Sequence, residues 1–360
     1  VSLRSVLEML QRTAGSAVDA DVPLMEAGVD SLGAVELRNQ LQSAAEGDEL
    51  PSTLVFDHPT ARQLASFLQP RQVTPLEAAP LLSTDSAAER GVLIDGWSTL
   101  MPSGAASAFA MRFMVASGSD AIVQVPAARW DVHAPPVMPA PIASRVRHGG
   151  FVHGAELADN AAFSISQVEA AAMDPCQRLL LEHGYAALHE ASSGRMALGG
   201  SLTGVFLGFS GTEFTQVLAL SPAGGSVYAA TGSTASIASG RLSYVLDMHG
   251  PCITSDTACS AALAACHAGL RALQRCECTA GLTMGVTMML APSVGTGFAV
   301  AGMTSSRGRS HTFDARADGY ARGEACGGVS TRRWEGGMEL CLHGSAVRQD
   351  GRSASLTAPN

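Results

Sequence analysis

The sequence contains no lysine; all 23 basic residues are arginine. No P-loop lysine and no Schiff-base lysine is therefore available within these 360 residues. There is no basic cluster either, and the net charge is −9. Nucleic-acid binding relies on Lys and Arg to neutralise phosphates, so no nucleic-acid partner is expected. Aromatic residues make up only 5% of the chain while glycine reaches 38, which favours close-packed helices and tight turns over an aromatic-rich sandwich. The eight cysteines, at 176, 252, 259, 266, 276, 278, 326 and 341, include no CxxC pair, and His267 beside Cys266 is too isolated to complete a zinc site. For most of them the plain reading is a small buried hydrophobe in a reduced compartment. No apolar run approaches a membrane span, and the start shows no signal pattern, so no membrane association is expected. The first residue is Val rather than Met, the mark expected of a piece of a longer protein. A cytoplasmic address is expected, with a plastid or other organelle left open because the original N-terminus is unseen.

At 46% apolar and 15% charged residues the chain has material for two or three cores. Residues 1–70 are helix-patterned and acidic, with ten Asp or Glu against four Arg; the remainder is nearly balanced, with 22 acids against 19 Arg. That asymmetry marks a boundary. Pro70, Pro75, Pro80 and the polar run up to Arg90 read as a linker over 71–90. About 20 flexible residues would reach roughly 25 Å. From Gly91 onward, Val- and Ile-rich runs alternate with Ala-rich helical patterns and Gly turns: 204–211, then a helix-like stretch from Pro222 to Leu246, then a β-like stretch over 253–258. The order predicts βαβ units.

Leu32 and Val35, with Ala34, Leu37 and Leu41 one stripe over, predict a helix beginning near Ser31. The bland role for Ser31 is an N-cap. The flanking text gives it another: Leu24, Glu26, Gly28-Val29-Asp30-Ser31-Leu32 and Glu36-Leu37-Arg38 resemble the attachment motif of acyl carrier proteins of the polyketide type. Leu50-Pro51-Ser52-Thr53-Leu54-Val55-Phe56-Asp57-His58-Pro59-Thr60 resembles the segment before that family's last helix. The resemblance implies a small all-α four-helix carrier over 1–70 and a covalent 4′-phosphopantetheine on the Ser31 hydroxyl, placed there by a phosphopantetheinyl transferase. A phosphodiester at a helix N-terminus meets unpaired amides and the positive end of the dipole.

Cys259 falls between a β-like stretch and the small-residue helical pattern from Ser260 to Leu270. A thiol at such a junction would be acidified by the dipole and by free amides, which could also serve as part of an oxyanion hole. The bland alternative is core packing. Asp256-Thr257-Ala258-Cys259-Ser260-Ala261 resembles the nucleophile motif of β-ketoacyl synthases. Collinear stretches at 126–131, 169–182, 239–244 and 313–324 resemble the same family and read mainly as scaffold. Gly240, Gly319 and Gly323 are expected at tight turns, and Asp174, Arg178, Asp318 and Arg322 in ion pairs.

The resemblance implies an α/β thiolase-like domain over 91–360, truncated to the first half and part of the second. The activity implied is an acyltransferase, a β-ketoacyl synthase of a modular polyketide synthase. Cys259 would take an acyl group, and a malonyl-type extender on a carrier domain would lose carbon dioxide and attack it. A ketosynthase homodimer is expected in the parent. Family ketosynthases also use two histidines and a lysine, with the histidines in HGTGT and NxGH stretches; neither stretch occurs here. Cys176 stands for a usual Gln and Arg348 for a usual Asn, and Gly91–Leu100 is only a loose match to the first strand. These 360 residues alone are therefore not expected to condense, and apolar surface is expected to lie open. The competing reading is a non-catalytic carrier or scaffold. A papain-like hydrolase would need a His base and an Asn or Asp in their own context, which the text near Cys259 lacks.

Overall fold

The computed structural model describes residues 2–14, 18–24, 27, 29, 31–44, 50–51, 54–68, 91–132, 138–191, 194–211, 213–334, 340–349 and 351. The expected linker, the motif positions Glu26, Gly28 and Asp30, and the closing stretch from Arg352 lie outside the described residues. Two compact units emerge, one of Val1–Ser83 with Arg348–Asn360 and one of Thr84–Val347.

The first unit has four helices among its described residues: α1 (Leu3–Ala14), α2 (Ser31–Ala44), α3 (Leu54–Asp57) and α4 (Ala61–Leu68). Val6 and Leu10 of α1, Ala34, Leu37 and Leu41 of α2, and Leu64 of α4 form its core, so the stripe predicted on α2 faces inward. Side chains 32 and 35 lie outside the described residues. Backbone contacts hold the connections: Leu24 N–H donates to Pro59 O at 2.8 Å and Arg62 N–H to Ala20 O at 3.0 Å. Arg62 also makes a bidentate pair with Asp21, at 2.7 and 2.8 Å.

The second unit runs β1 (Val92–Leu100), α5 (Ala108–Ala116), β2 (Ile122–Gln124), α6 (Ala140–Arg145), β3 (His148–Gly150), α7 (Gln167–Ala172), α8 (Pro175–Glu190), α9 (Arg195–Leu198) and β4 (Thr203–Phe209). It continues with α10 (Glu213–Ala219), α11 (Ala229–Gly232), α12 (Ala235–Leu246), β5 (Cys252–Ser255), α13 (Ala261–Gln274), β6 (Ala280–Thr287), α14 (Pro292–Val300), β7 (Ala325–Arg333) and β8 (Cys341–Leu342). The main sheet has the order β5-β4-β6-β7-β1-β8. Strands β5, β4 and β6 are parallel, as the βαβ reading requires; β7 is antiparallel to both β6 and β1. Helix α8 packs on β1, β6 and β7 and α12 on β4 and β5, while α13 packs on β4, β5 and β6. Every residue of β4 is buried, the pattern of a parallel strand covered on both faces. The result is a mixed sheet with helices on its faces.

Local chemistry sets the element ends. Asp174 accepts from Cys176 N–H at 2.8 Å with Pro175 at the first position, and so starts α8. The helix-like stretch from Pro222 to Leu246 is not continuous: a 3-10 turn at Pro222–Gly225 precedes α11 and α12. Gly232 ends α11 against the carbonyl of Ala172, where any Cβ would collide. The β-like stretch over 253–258 stops at Ser255 because the Asp256 carboxylate turns the chain. Some large apolar side chains lie open, among them Phe109, 80% exposed, and Leu263, 75% exposed. Among the described residues no helix is long and apolar enough to cross a membrane.

Candidate active site and carrier attachment position

Since β4, β5 and β6 are parallel, their C-terminal ends share one edge of the sheet, the usual position of ligand sites in α/β folds. Cys259 lies on that edge, in the turn from β5 to α13, and its side chain is exposed. The turn is pinned from both sides. Asp256 Oδ1 accepts from Ala258 N–H at 2.9 Å, and the Ser260 hydroxyl reaches Thr257 O and Oγ1, both at 2.9 Å. Ala258, immediately before the cysteine, has φ 54°. A non-glycine residue in the left-handed region costs of order 1–3 kcal/mol and persists only where its surroundings force it.

The head of α13 is seated by close approach to the sheet. A Cβ at Gly208 of β4 would collide with the backbone of Ala261 and Ala262. At Gly285 of β6 it would lie 2.8 Å from Ala262 Cβ. Small residues on both surfaces therefore fix where the first turn of α13 sits, and with it the sulfur. Ser255 adds hydroxyl bonds to Leu207 O and Ala261 O, at 3.3 and 3.4 Å. A cleft of about 340 Å³ opens beside this edge, lined by Phe209, Ala235, Ser239, Cys252, Thr254 and Asp256. Burial raises the Tyr320 phenol above its ordinary range; Arg322 opposes this and Cys259 reinforces it, so phenol and sulfur lie within electrostatic reach.

Two buried carboxylates hold the loop after β6 on the same edge. Glu324 accepts from Met289 N–H at 3.0 Å and Val152 N–H at 2.9 Å, and Glu213 from Leu290 and Ala291 N–H at 2.7 and 3.0 Å. Each is neutralised by an arginine, Arg129 for Glu324 and Arg322 for Glu213, both at 2.9 Å. Removing one partner of such a buried pair costs roughly 3–5 kcal/mol, because the other charge is left uncompensated.

The stretches singled out in the sequence meet in pairs. Arg129 of 126–131 binds Glu324 of 313–324, and Arg241 of 239–244 binds both Glu169 and Gln177 of 169–182. Ion pairs form as expected at Arg322, which binds Glu213, and at Asp318, which lies 3.6 Å from Arg307 and also accepts from Ser305 and Ser306; Asp174 caps α8. Gly319, at φ 134° against the Thr304 backbone, is a turn glycine as expected. Gly240 lies inside α12 with open space around it, and Gly323 has no positive φ, so neither serves a tight turn. The bland reading of the cysteines holds for Cys176, Cys278 and Cys326, which are buried, and fails for Cys252, Cys259 and Cys276, which are exposed. Ala258, Glu213 and the glycines under α13 were not singled out, since their roles rest on contacts with distant segments. Among the described residues no group of His, Cys, Asp and Glu could hold a metal ion.

In the first unit, residue 31 heads a helix of 14 residues. The first amides of such a helix lack intrahelical acceptors, so the backbone there suits an esterified phosphodiester. Val29 N–H donates to Leu24 O at 2.9 Å, closing the turn that leads to it.

Known proteins resemble both parts of the chain. Residues 89–333 match the beta-ketoacyl synthase N-terminal domain, and residues 4–68 match the phosphopantetheine attachment site, which indicates covalent 4′-phosphopantetheine. The chain is 40% identical to polyketide synthase GfsB of Streptomyces halstedii, over 99% of this chain and 6% of that protein. It is also 40% identical to pikromycin polyketide synthase component PikAII of Streptomyces venezuelae, over 98% of this chain and 10% of that protein. It thus spans a small part of these relatives. The ketosynthase from module 6 of the bacillaene synthase from Bacillus subtilis 168 superposes with a TM-score of 0.65 at 29% identity, over 75% of this chain and 45% of that one. This chain belongs to the beta-ketoacyl synthase family and carries a phosphopantetheine-attachment domain ahead of its ketosynthase domain.

Proposed function

We propose that the chain is a segment of a modular polyketide synthase, with a carrier over 1–70, a linker over 71–90 and the front of a condensing domain over 91–360. The observation that carries this reading is an exposed cysteine on a strained, pinned turn at the head of α13. Ser31 is the attachment residue for phosphopantetheine, which supplies a thiol on a long arm that carries acyl groups as thioesters. Cys259 Sγ attacks the carbonyl carbon of an acyl thioester, the new sulfur–carbon bond forms, and the carrier thiol leaves. Backbone amides in the first turn of α13 are the donors nearest to hand for the oxyanion. In the parent the acyl chain on Cys259 is then extended by a malonyl-type unit with loss of carbon dioxide. Tethering of both partners raises their effective concentration.

Condensation needs two histidine motifs that these residues do not contain, so this chain transfers acyl groups without forming a β-ketoacyl product. A homodimer and a cytoplasmic address belong to the same reading. Strand β5 lies at the sheet edge with Cys252 and Ile253 exposed, as a pairing edge would.

The test is intact-mass measurement after treatment with a phosphopantetheinyl transferase, coenzyme A and a short acyl thioester. One phosphopantetheine, lost in Ser31→Ala, and one acyl group on sulfur, lost in Cys259→Ala and retained in Cys326→Ala, are expected. Acylation of the carrier without any at Cys259 would favour the scaffold reading. A β-ketoacyl product from the chain alone would overturn the assignment of condensation to other residues.

A further inference from the structure

Among the described residues eight buried side-chain polar atoms have no hydrogen-bond partner, and the residues that carry three of them line one cavity. Trp130, with Nε1 unpartnered, His148, with Nδ1 unpartnered, and Thr304, with its hydroxyl unpartnered, share the lining of a cavity of about 20 Å³ with Arg145, Tyr320 and Arg322. The three residues come from the loop after β2, from strand β3 and from the segment after α14, so sequence proximity does not explain the convergence. Thr304 is only 3% exposed. A buried hydroxyl or indole N–H left without a partner costs about 1–3 kcal/mol, so three on residues around one cavity call for an occupant.

Size and charge select it. A water needs roughly 10–15 Å³ and two to four polar partners; the cavity offers room for one and has three. A phosphate or carboxylate group does not fit. Both arginines are committed elsewhere, Arg145 to the carbonyls of Thr304 and Asp318 and Arg322 to Glu213 with its guanidinium 5.4 Å over the Phe298 ring. Among the described residues no carboxylate lines the cavity to attract a cation.

We propose that this cavity is a binding site for one water molecule, which accepts from Trp130 Nε1–H and donates to His148 Nδ1 and Thr304 Oγ1. The scheme uses both water protons and needs His148 neutral with its proton on Nε2. Burial, with Arg309 and Arg147 nearby, holds that ring below its ordinary range. Thr304 is bridged through its backbone to Tyr320, whose phenol feels the Cys259 sulfur. The water therefore braces the segment that carries Tyr320. The inference stands on the cavity and is independent of the proposed activity.

The test uses the full chain labelled with ¹⁵N-tryptophan. The Trp130 indole signal is identified by its loss in Trp130→Phe or, should that variant not fold, by elimination with Trp97→Phe and Trp334→Phe. A dipolar cross-peak from that indole proton to water, absent in Thr304→Val, is expected. Thr304→Val and Trp130→Phe should each lower Tm by about 2–4 °C, and the double variant by less than the sum. No water cross-peak, or a Thr304→Val chain that is more stable because a truly unpaired hydroxyl was removed, would overturn the proposal. A shift of the Trp130 indole signal on halide addition would overturn it in favour of an anion.

Discussion

Cys259 and Cys326 lie on the same sheet system and meet opposite surroundings. Cys326, on β7, is wholly enclosed, and burial pushes its thiol up to about 12. Cys278 is pushed to about 11, and Cys176 is raised well above the ordinary thiol range, in both cases chiefly by burial. Cys259 is held in the open by a turn that Asp256 and Ser260 pin. The difference teaches that reactivity here is a matter of where the backbone delivers the sulfur: the interior keeps a thiol protonated, and the parallel-strand edge presents one to solvent.

Alkylation should sharpen this contrast most. With iodoacetamide at pH 8, Cys259 and the exposed Cys252 and Cys276 should be modified, while Cys176, Cys278 and Cys326 should react at least about a hundredfold more slowly until denaturant is added. Peptide mass mapping reads the result, and rapid labelling of Cys326 in the native chain would break the comparison.

Gly208→Val and Gly240→Ala give the next largest effect, in opposite directions. At 208 the new side chain meets the backbone of α13 and should cost about 1–3 kcal/mol while displacing the turn that carries Cys259, so acyl loading falls with stability. At 240, mid-helix and facing open space, the substitution should be neutral or stabilise by about 0.5–1 kcal/mol with loading unchanged. Urea titration and intact mass together check both.

The smallest effect concerns Asp318, held down to about 2 first by the Ser305 hydroxyl and then by Ser306 and Arg307. A carboxylate whose folded value lies below its free value of 3.8 contributes stability above that free value and loses it as pH falls toward the folded one. The Tm difference between the unaltered chain and Asp318→Asn should therefore be constant near neutrality and close between about pH 4 and pH 2. The group is exposed, so a shift of a few degrees at most is expected.

Local pattern made much of this legible. The strand, the turn at Cys259 and the Ala-rich α13 follow from residue type and order, as does the inward stripe of Ala34, Leu37 and Leu41. Contacts between distant segments were not legible. Arg322 pairs with Glu213, a carboxylate that α10 brings to it from 109 residues away. The break between α11 and α12 depends on the Ala172 carbonyl pressing on Gly232, which no periodicity encodes. Ala258 carries no mark of its strain, since alanine is ordinarily a helix former.

The two carboxylate–arginine latches have a mechanical consequence. Glu213 arrives just after β4 and Glu324 just before β7, and between them they grip three successive amides, Met289 to Ala291, from two directions. A strip gripped in that way cannot swing without exposing two desolvated charges at once, so it acts as a fixed lintel over the end of β6. Any motion that widens this edge of the sheet must hinge at some other point around it.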